Sequence, residues 1–111
     1  MVGSETVLVY GKFRIVHPGH MRLFRHALDL GSRLIIGIVK DEENDENVSF
    51  SETLLRNLPF VSEVIIENDA TSIIKKVRPN FIVRGFEHRG TEFPELEAIS
   101  EVGAKLIYTS G

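Results

Sequence analysis

Short runs of apolar side chains alternate with segments of mixed character along this chain. Five of the runs are rich in valine, isoleucine and leucine, which is typical of strands buried on both faces in a parallel sheet. These runs predict strands over residues 5–10, 33–39, 62–66, 80–84 and 104–108. The segments between them predict four helices, over residues 18–30, 51–58, 71–77 and 94–102.

The first predicted helix has the clearest pattern. Pro18 suits its first position and Gly31 suits its end. Its apolar stripe is formed by Leu23, Phe24, Ala27, Leu28 and Leu30. For the third helix, either Asp69 or Thr71 is a candidate N-cap. The acidic and polar stretch over residues 41–50 predicts a loop.

Alternating strands and helices predict an α/β fold, a Rossmann-like doubly wound parallel sheet of about five strands with helices on both faces. Ligands of such sheets bind beyond the carboxyl ends of the strands, where the strand order reverses. With 111 residues, the chain is expected to form one domain over residues 1–111. The last predicted strand is not followed by a closing helix, which predicts a truncated domain or one part of a longer protein.

Composition excludes several classes of protein. The chain has no cysteine, which excludes disulfides and thiolate chemistry, and its net charge of −3 argues against general nucleic-acid binding. No apolar run approaches the roughly 20 residues of a membrane span, and the first residues do not predict a signal peptide. We therefore expect a cytoplasmic protein without a nucleic-acid or membrane partner.

Charge is distributed unevenly along the chain. Residues 1–40 contain six basic and two acidic side chains, whereas residues 41–52 contain six acidic and no basic ones. The basic first third would attract an anionic ligand. The acidic run over residues 41–46 is most simply a solvated loop, and magnesium binding is the alternative.

The segment from Gly11 to His20 joins the first strand to the first helix. Within it, His17 and His20 flank a Pro18-Gly19 step. The first turn of a helix has unpaired backbone N–H groups and the positive end of the dipole, so this turn predicts a phosphate site. Two imidazoles at such a site suggest that the phosphates react. A zinc site is the rival hypothesis, although the sequence offers no cysteine and no clear third ligand.

The position of the other histidines and of the basic side chains near the motif indicates whether each one can belong to the site. His26 falls on the polar face of the first helix and is expected to be solvated, whereas His88 falls in a loop near the expected ligand crevice. Lys12, Arg14 and Arg22 either contact the anion or remain surface charges.

The pattern G-x-F-x-x-x-H-x-G-H resembles the signature of the cytidylyltransferase-like nucleotidylyltransferases. It is formed here by Gly11, Phe13, His17, Gly19 and His20. The resemblance is nearest to the glycerol-3-phosphate cytidylyltransferase and heptose-phosphate adenylyltransferase families. Further segments resemble the same superfamily in the same order, over residues 20–24, 34–42, 60–64 and 78–85.

This resemblance implies an enzyme that moves AMP or CMP from a nucleoside triphosphate to a phosphorylated sugar or polyol and releases pyrophosphate. It implies that His17 and His20 are the catalytic residues, and that magnesium (Mg2+) accompanies the triphosphate without a metal ligand from the protein. It implies a nucleotide site formed by Tyr10, Gly11, Lys12, Phe13, Arg14, Gly19, Arg22, Arg84, Gly85 and Glu87. A homodimer is a further expectation.

Four departures from the family pattern leave other hypotheses open. Arg14 replaces the usual aspartate, residues 41–46 are acidic where the family is usually basic, and Ser51 stands where an arginine commonly holds phosphate. The family's R-x-x-G-x-S-T signature does not follow the fifth predicted strand before Gly111. The alternatives are a non-catalytic nucleotide-binding domain of the same fold and an adenylyltransferase that acts on nicotinamide mononucleotide or a flavin.

Overall fold

The computed structural model describes residues 5–13, 16–40, 45–85 and 94–109, except for the side chains of residues 45–47. Within these ranges five strands alternate with four helices, as predicted. The strands are β1 (Thr6–Gly11), β2 (Arg33–Val39), β3 (Glu63–Glu67), β4 (Phe81–Gly85) and β5 (Lys105–Thr109). The helices are α1 (Pro18–Leu28), α2 (Asp45–Arg56), α3 (Ala70–Val77) and α4 (Glu95–Val102).

The strands form a parallel sheet in the order β3-β2-β1-β4-β5. Strand β1 lies at its centre, where Leu8 pairs with Ile35 of β2 on one side and with Ile82 of β4 on the other. The chain runs outward from β1 through β2 and β3, and then returns to the other side of β1 for β4 and β5. The strand order therefore reverses between β1 and β4, and this switch point is where a doubly wound sheet binds its ligand.

Successive side chains of β1 enter two separate cores, because side chains alternate between the faces of a strand. On one face, Val9 belongs to a core with Phe24 of α1 and Leu55 of α2. On the other face, Leu8 belongs to a core with Ile73 of α3 and with residues of α4. Helices therefore cover both faces of the sheet, and the predicted fold class is confirmed.

Helix α2 begins earlier than the sequence pattern predicted. The predicted loop over residues 41–50 is wrong in its second half, because the helix begins at Asp45. Val48, Ser51 and Leu55 are all buried. Their spacing of three and four residues continues one buried stripe toward the start of the helix, so packing against the sheet extends the helix by almost two turns.

The bounds of β2 match the prediction, and the other boundaries differ from it by at most two residues. Helix α1 ends at Leu28, because the backbone N–H of Leu30 already bonds to the carbonyl of Ala27 in a tighter turn. Helix α2 ends two residues earlier than predicted. Of the two candidate caps for α3, Asp69 is the one used, and its carboxylate accepts a hydrogen bond of 2.7 Å from the backbone N–H of Ser72.

Strand β2 and helix α3 approach each other closely at Gly37, and this contact yields a prediction about stability. A Cβ atom at Gly37 would lie 2.7 Å from Cγ2 of Ile73. We expect Gly37→Ala to lower the free energy of unfolding by about 1–3 kcal/mol, because α3 must shift away from the sheet. Urea denaturation measures the change. The same substitution should cost less in an Ile73→Ala background, and a Gly37→Ala protein as stable as wild type would contradict the prediction.

Candidate active site

A cleft of about 490 Å³ opens at the carboxyl edge of the sheet, at the switch point between β1 and β4. The residues around it come from the ends of strands and the starts of α1, α3 and α4. They are Tyr10, Gly11, Lys12, Phe13, His20, Leu23, Val39, Asn68, Asp69, Ala70, Val83, Arg84, Gly85 and Glu95. The cleft therefore lies where the topology of a doubly wound sheet predicts a ligand.

Helix α1 begins with two reciprocal hydrogen bonds made by histidines. His17 is the N-cap, and its Nδ1 accepts a hydrogen bond of 3.0 Å from the backbone N–H of Gly19. The Nδ1 of His20 accepts a hydrogen bond of 3.2 Å from the backbone N–H of His17. Because both Nδ1 atoms are acceptors, each neutral imidazole carries its proton on Nε2. Each ring thus has an N–H donor that the cap does not use.

The two imidazoles are held together by packing as well as by the cap. Their rings stack with 3.9 Å between centroids and 24° between planes. A Cβ atom at position 19 would lie 2.8 Å from Cε1 of His17 and 2.9 Å from its Nδ1. Gly19 is therefore a steric requirement of the cap, because any larger residue would displace the His17 ring.

The surroundings of His20 favour its neutral form. Burial lowers its pKa below the ordinary value, and the neighbouring His17 lowers it further. Part of the burial comes from Phe13, whose ring centroid lies 5.0 Å from that of His20. A neutral imidazole with its proton on Nε2 acts as a hydrogen-bond donor beside the positive end of α1.

Phe13 occupies a backbone conformation that few non-glycine residues adopt. Its φ angle is 48°, in the left-handed region, and its side chain is buried. Its carbonyl oxygen accepts a hydrogen bond from the hydroxyl of Ser51 in α2. The sequence marked Ser51 only as a departure from the family, and this contact between residues 38 positions apart was not predicted.

The lining of the cleft also contains a paired tyrosine and arginine. Tyr10 and Arg84 lie near the ends of the neighbouring strands β1 and β4. Nη1 of Arg84 donates a hydrogen bond of 2.7 Å to the Tyr10 hydroxyl, and the guanidinium carbon lies 4.7 Å from the ring centroid. Burial raises the pKa of Tyr10 in spite of the opposing effect of Arg84. The hydroxyl therefore stays protonated, and Arg84 brings a permanent positive charge to the cleft wall.

The structure brings most of the predicted site residues together. Those that line the cleft are Tyr10, Gly11, Lys12, Phe13, His20, Arg84 and Gly85. His17, Gly19 and Arg22 lie beside them at the start of α1. His26 is exposed on the same helix. Arg14, Glu87 and the candidate His88 lie outside the described residues.

Several residues of the cleft were not predicted as site residues. They are Leu23, Val39, Asn68, Asp69, Ala70, Val83 and Glu95. Asn68 and Asp69 follow β3 directly, and Val39 ends β2. The sequence could have indicated these residues. The carboxyl ends of parallel strands meet at one edge of the sheet, so residues that directly follow any predicted strand are candidates for the site. The strand order was needed to show which of these ends lie near the histidines.

Among the described residues, no three histidine, cysteine or acidic side chains are grouped so that they could hold a metal ion. The zinc hypothesis for His17 and His20 therefore gains no third ligand from this part of the chain. In the same ranges no helix has both the length and the apolar character needed to cross a membrane.

Comparison with known proteins identifies the class of protein that this site belongs to. The family model for cytidylyltransferase-like proteins matches residues 8–89, so this chain belongs to the cytidylyltransferase-like family. The predicted resemblance is confirmed. The bifunctional protein HldE of Campylobacter curvus is 31% identical in an alignment that covers 89% of this chain and 24% of HldE. The FAD synthase of Aciduliprofundum boonei is 26% identical, over 90% of this chain and 73% of that protein.

The chain spans about a quarter of the length of the HldE proteins that it matches. Two solved structures share its fold. A lipopolysaccharide core biosynthesis protein from Thermoplasma volcanium superposes with a TM-score of 0.77 at 22% identity and covers 97% of this chain and 98% of its own. The pantoate-beta-alanine ligase of Francisella tularensis superposes with a TM-score of 0.65 at 12% identity, over 96% of this chain and 59% of its own.

The histidine cap predicts that stability depends on pH. Folding lowers the pKa of His20, so the unfolded chain binds more protons and the free energy of unfolding falls as the pH drops below the ordinary value of 6.5. Protonation of Nδ1 also removes the acceptor for the His17 N–H. His20→Asn keeps an acceptor but does not titrate, so it should lose less stability than wild type between about pH 7 and about pH 5. Urea denaturation at each pH tests this, and equal losses in both proteins would contradict it.

Proposed function

We propose that this domain is a nucleotidyltransferase that moves AMP or CMP from a nucleoside triphosphate to a phosphorylated sugar or polyol, with release of pyrophosphate. The observation that carries the proposal is the pair of Nε2–H donors on His17 and His20 at the start of α1, beside the cleft. Such donors at the positive end of a helix favour a polyanion. Membership of the cytidylyltransferase-like family supports the general class, and the substrates are our proposal.

In the proposed reaction, an oxygen of the acceptor phosphate attacks the α-phosphorus of the triphosphate. A new P–O bond forms while the bond from the α-phosphorus to the bridging oxygen breaks, and pyrophosphate leaves with that electron pair. Because the attacking oxygen is already anionic, the protein needs no strong base. Catalysis then rests on positioning and on stabilising charge at the phosphoryl oxygens, which His17 and His20 do through their Nε2–H donors.

Other residues of the cleft supply charge and space for the nucleotide. Lys12 is exposed at the cleft, and Arg84 is held there by Tyr10. A Cβ atom at Gly11 would make only an ordinary contact, 3.6 Å from the ring of Phe13, so packing does not require glycine here, and in this proposal the missing side chain leaves space for the nucleotide. Arg14, Gly19, Arg22, Gly85 and Glu87 complete the proposed nucleotide site.

We propose that magnesium enters with the triphosphate and is held mainly by phosphate oxygens and water. Of the carboxylates at the cleft, Asp69 already caps α3 through the backbone N–H of Ser72. When bound, the ion would neutralise part of the charge that develops on the phosphates. The residues of this chain would bind the nucleotide that carries it.

One observation favours a second candidate, a nucleotide-binding domain without catalytic activity. Ser51, at the position where the resembling family commonly has a phosphate-binding arginine, is buried and bonded to the Phe13 carbonyl. It therefore makes no contact with a phosphate in the cleft. Release of pyrophosphate from ATP or CTP, measured with a panel of phosphosugars, polyol phosphates and FMN, decides between the two candidates. FMN belongs in the panel because one relative is an FAD synthase.

The role of the imidazole pair predicts the effect of replacing either histidine. His17→Asn and His20→Asn keep a side-chain oxygen as acceptor for the cap and remove the Nε2–H donor. We expect each to lower kcat by about 100- to 1000-fold while the nucleotide still binds. Steady-state kinetics and calorimetry measure the two quantities.

The matched control is His26→Ala, because His26 is exposed on the same helix. It should leave kcat and nucleotide affinity at wild-type values. If His17→Asn and His20→Asn retain wild-type turnover, the imidazoles are not part of the reaction. If wild type releases no pyrophosphate with any acceptor but binds ATP or CTP, the second candidate is correct.

The hydrogen bond between Tyr10 and Arg84 predicts that removing the Tyr10 hydroxyl weakens the binding of a phosphate-bearing substrate. Tyr10→Phe keeps the ring under the guanidinium and removes the acceptor of its 2.7 Å hydrogen bond. We expect KM for a phosphate-bearing substrate to rise roughly tenfold with a smaller change in kcat, because Arg84 loses one of the hydrogen bonds that orient it. His26→Ala, which changes an exposed side chain outside the cleft, is the control. Unchanged KM values in Tyr10→Phe would exclude this role.

A further inference from the structure

Ser51 is an unusual residue in the described part of the chain. It lies inside α2 and is 1% exposed, and among the described residues it is the polar side chain that is fully buried. It does not line the cleft. Burying a hydroxyl costs free energy unless the hydroxyl forms a hydrogen bond. The group that Ser51 bonds to therefore indicates the role of this residue.

The partner of Ser51 is the backbone of the turn that leads to the histidines. Its hydroxyl donates to the carbonyl oxygen of Phe13, where the backbone has a φ angle of 48°. A phenylalanine in the left-handed region is strained, and such a conformation persists only where the surroundings hold it. The hydrogen bond from α2 is a direct restraint on that conformation.

The side chain of Phe13 transmits this restraint to the imidazoles. Its ring is buried and lies 5.0 Å from the ring of His20 and 6.1 Å from that of Phe24. His20 in turn stacks on His17 at 3.9 Å and bonds to its backbone N–H. A contiguous set of contacts thus runs from Ser51 through Phe13 to both histidines.

We infer that Ser51 is a positioning residue of the candidate active site, which fixes the Phe13 turn and through it the orientation of His17 and His20. This inference rests on the proposed function for its consequence in catalysis. In this inference Ser51 does not contact phosphate itself and acts on the site through Phe13. A helix on the sheet face opposite to that of Tyr10 and Arg84 thereby sets the geometry of the imidazole pair.

The test compares Ser51→Ala with Ser49→Ala, which removes an exposed hydroxyl from the same helix. We expect Ser51→Ala to lower kcat by about 10- to 100-fold, because small displacements of catalytic groups have effects of this size. KM for the nucleotide should stay within about twofold of wild type, since the charged groups of the cleft remain. Ser49→Ala should match wild type in both.

A second readout does not depend on turnover. The Phe13 ring changes the magnetic environment of the neighbouring His20 ring, so the NMR shifts of the His20 ring protons should move in Ser51→Ala and not in Ser49→Ala. A serine that only stabilises the fold would lower the denaturation midpoint and leave these shifts and kcat unchanged. If the alanine variant is too unstable to purify, Ser51→Cys keeps a side chain of similar shape, slightly larger and with a weaker donor, and is expected to change kcat and the His20 shifts in the same direction.

The outcomes separate this inference from the proposed function. Unchanged His20 shifts in Ser51→Ala, or a kcat equal to that of wild type, would overturn the positioning role. If wild type releases no pyrophosphate with any substrate tested, the proposed function fails, and the His20 shifts still decide whether Ser51 holds the imidazole pair. If Ser51→Ala changes the His20 ring-proton shifts and lowers kcat while KM is kept, both the positioning role and the proposed function are supported.

Discussion

The burial of β1 on both of its faces is the constraint on which the rest of the structure depends. Val7 and Leu8 are completely buried, one in each core, and the strand pairs with β2 on one side and β4 on the other. A one-residue shift in the register of this strand would exchange the side chains that enter the two cores, so each side chain would meet a space shaped for another residue. Its carboxyl end is therefore fixed at the switch point of the sheet, and the segment from Gly11 to His20 must begin there.

At the end of this segment, the two side chains that cap the start of α1 are also the ones that take part in the proposed chemistry. A helix start needs acceptors for its first backbone N–H groups, and His17 and His20 supply them through Nδ1. This use of Nδ1 sets the tautomer and leaves Nε2–H as the donor. Gly19 follows from the same arrangement, because a Cβ atom there would collide with the His17 ring.

The cleft combines contributions from the two faces of the sheet. Phe13, His20 and the supporting Ser51 belong to the face covered by α1 and α2, and Tyr10 belongs to the face covered by α3 and α4. Hydrogen bonds tie each part to a distant segment, since Ser51 holds the Phe13 turn and Tyr10 holds Arg84. Membership of the cytidylyltransferase-like family agrees with a cleft built from a parallel sheet and a histidine-capped helix.

The sequence alone determined the number, type and order of the elements, because buried strands and amphipathic helices have distinct local patterns. It also located the histidine turn, whose Pro18-Gly19 step and paired imidazoles act within one helical turn. Only the tertiary structure decided which distant residues meet. Tyr10 and Arg84 are 74 positions apart and come together because β4 returns beside β1, and Ser51 meets Phe13 because α2 packs on that face. Strand order and helix packing result from the burial of all elements at once, so no local pattern of residues specifies these contacts.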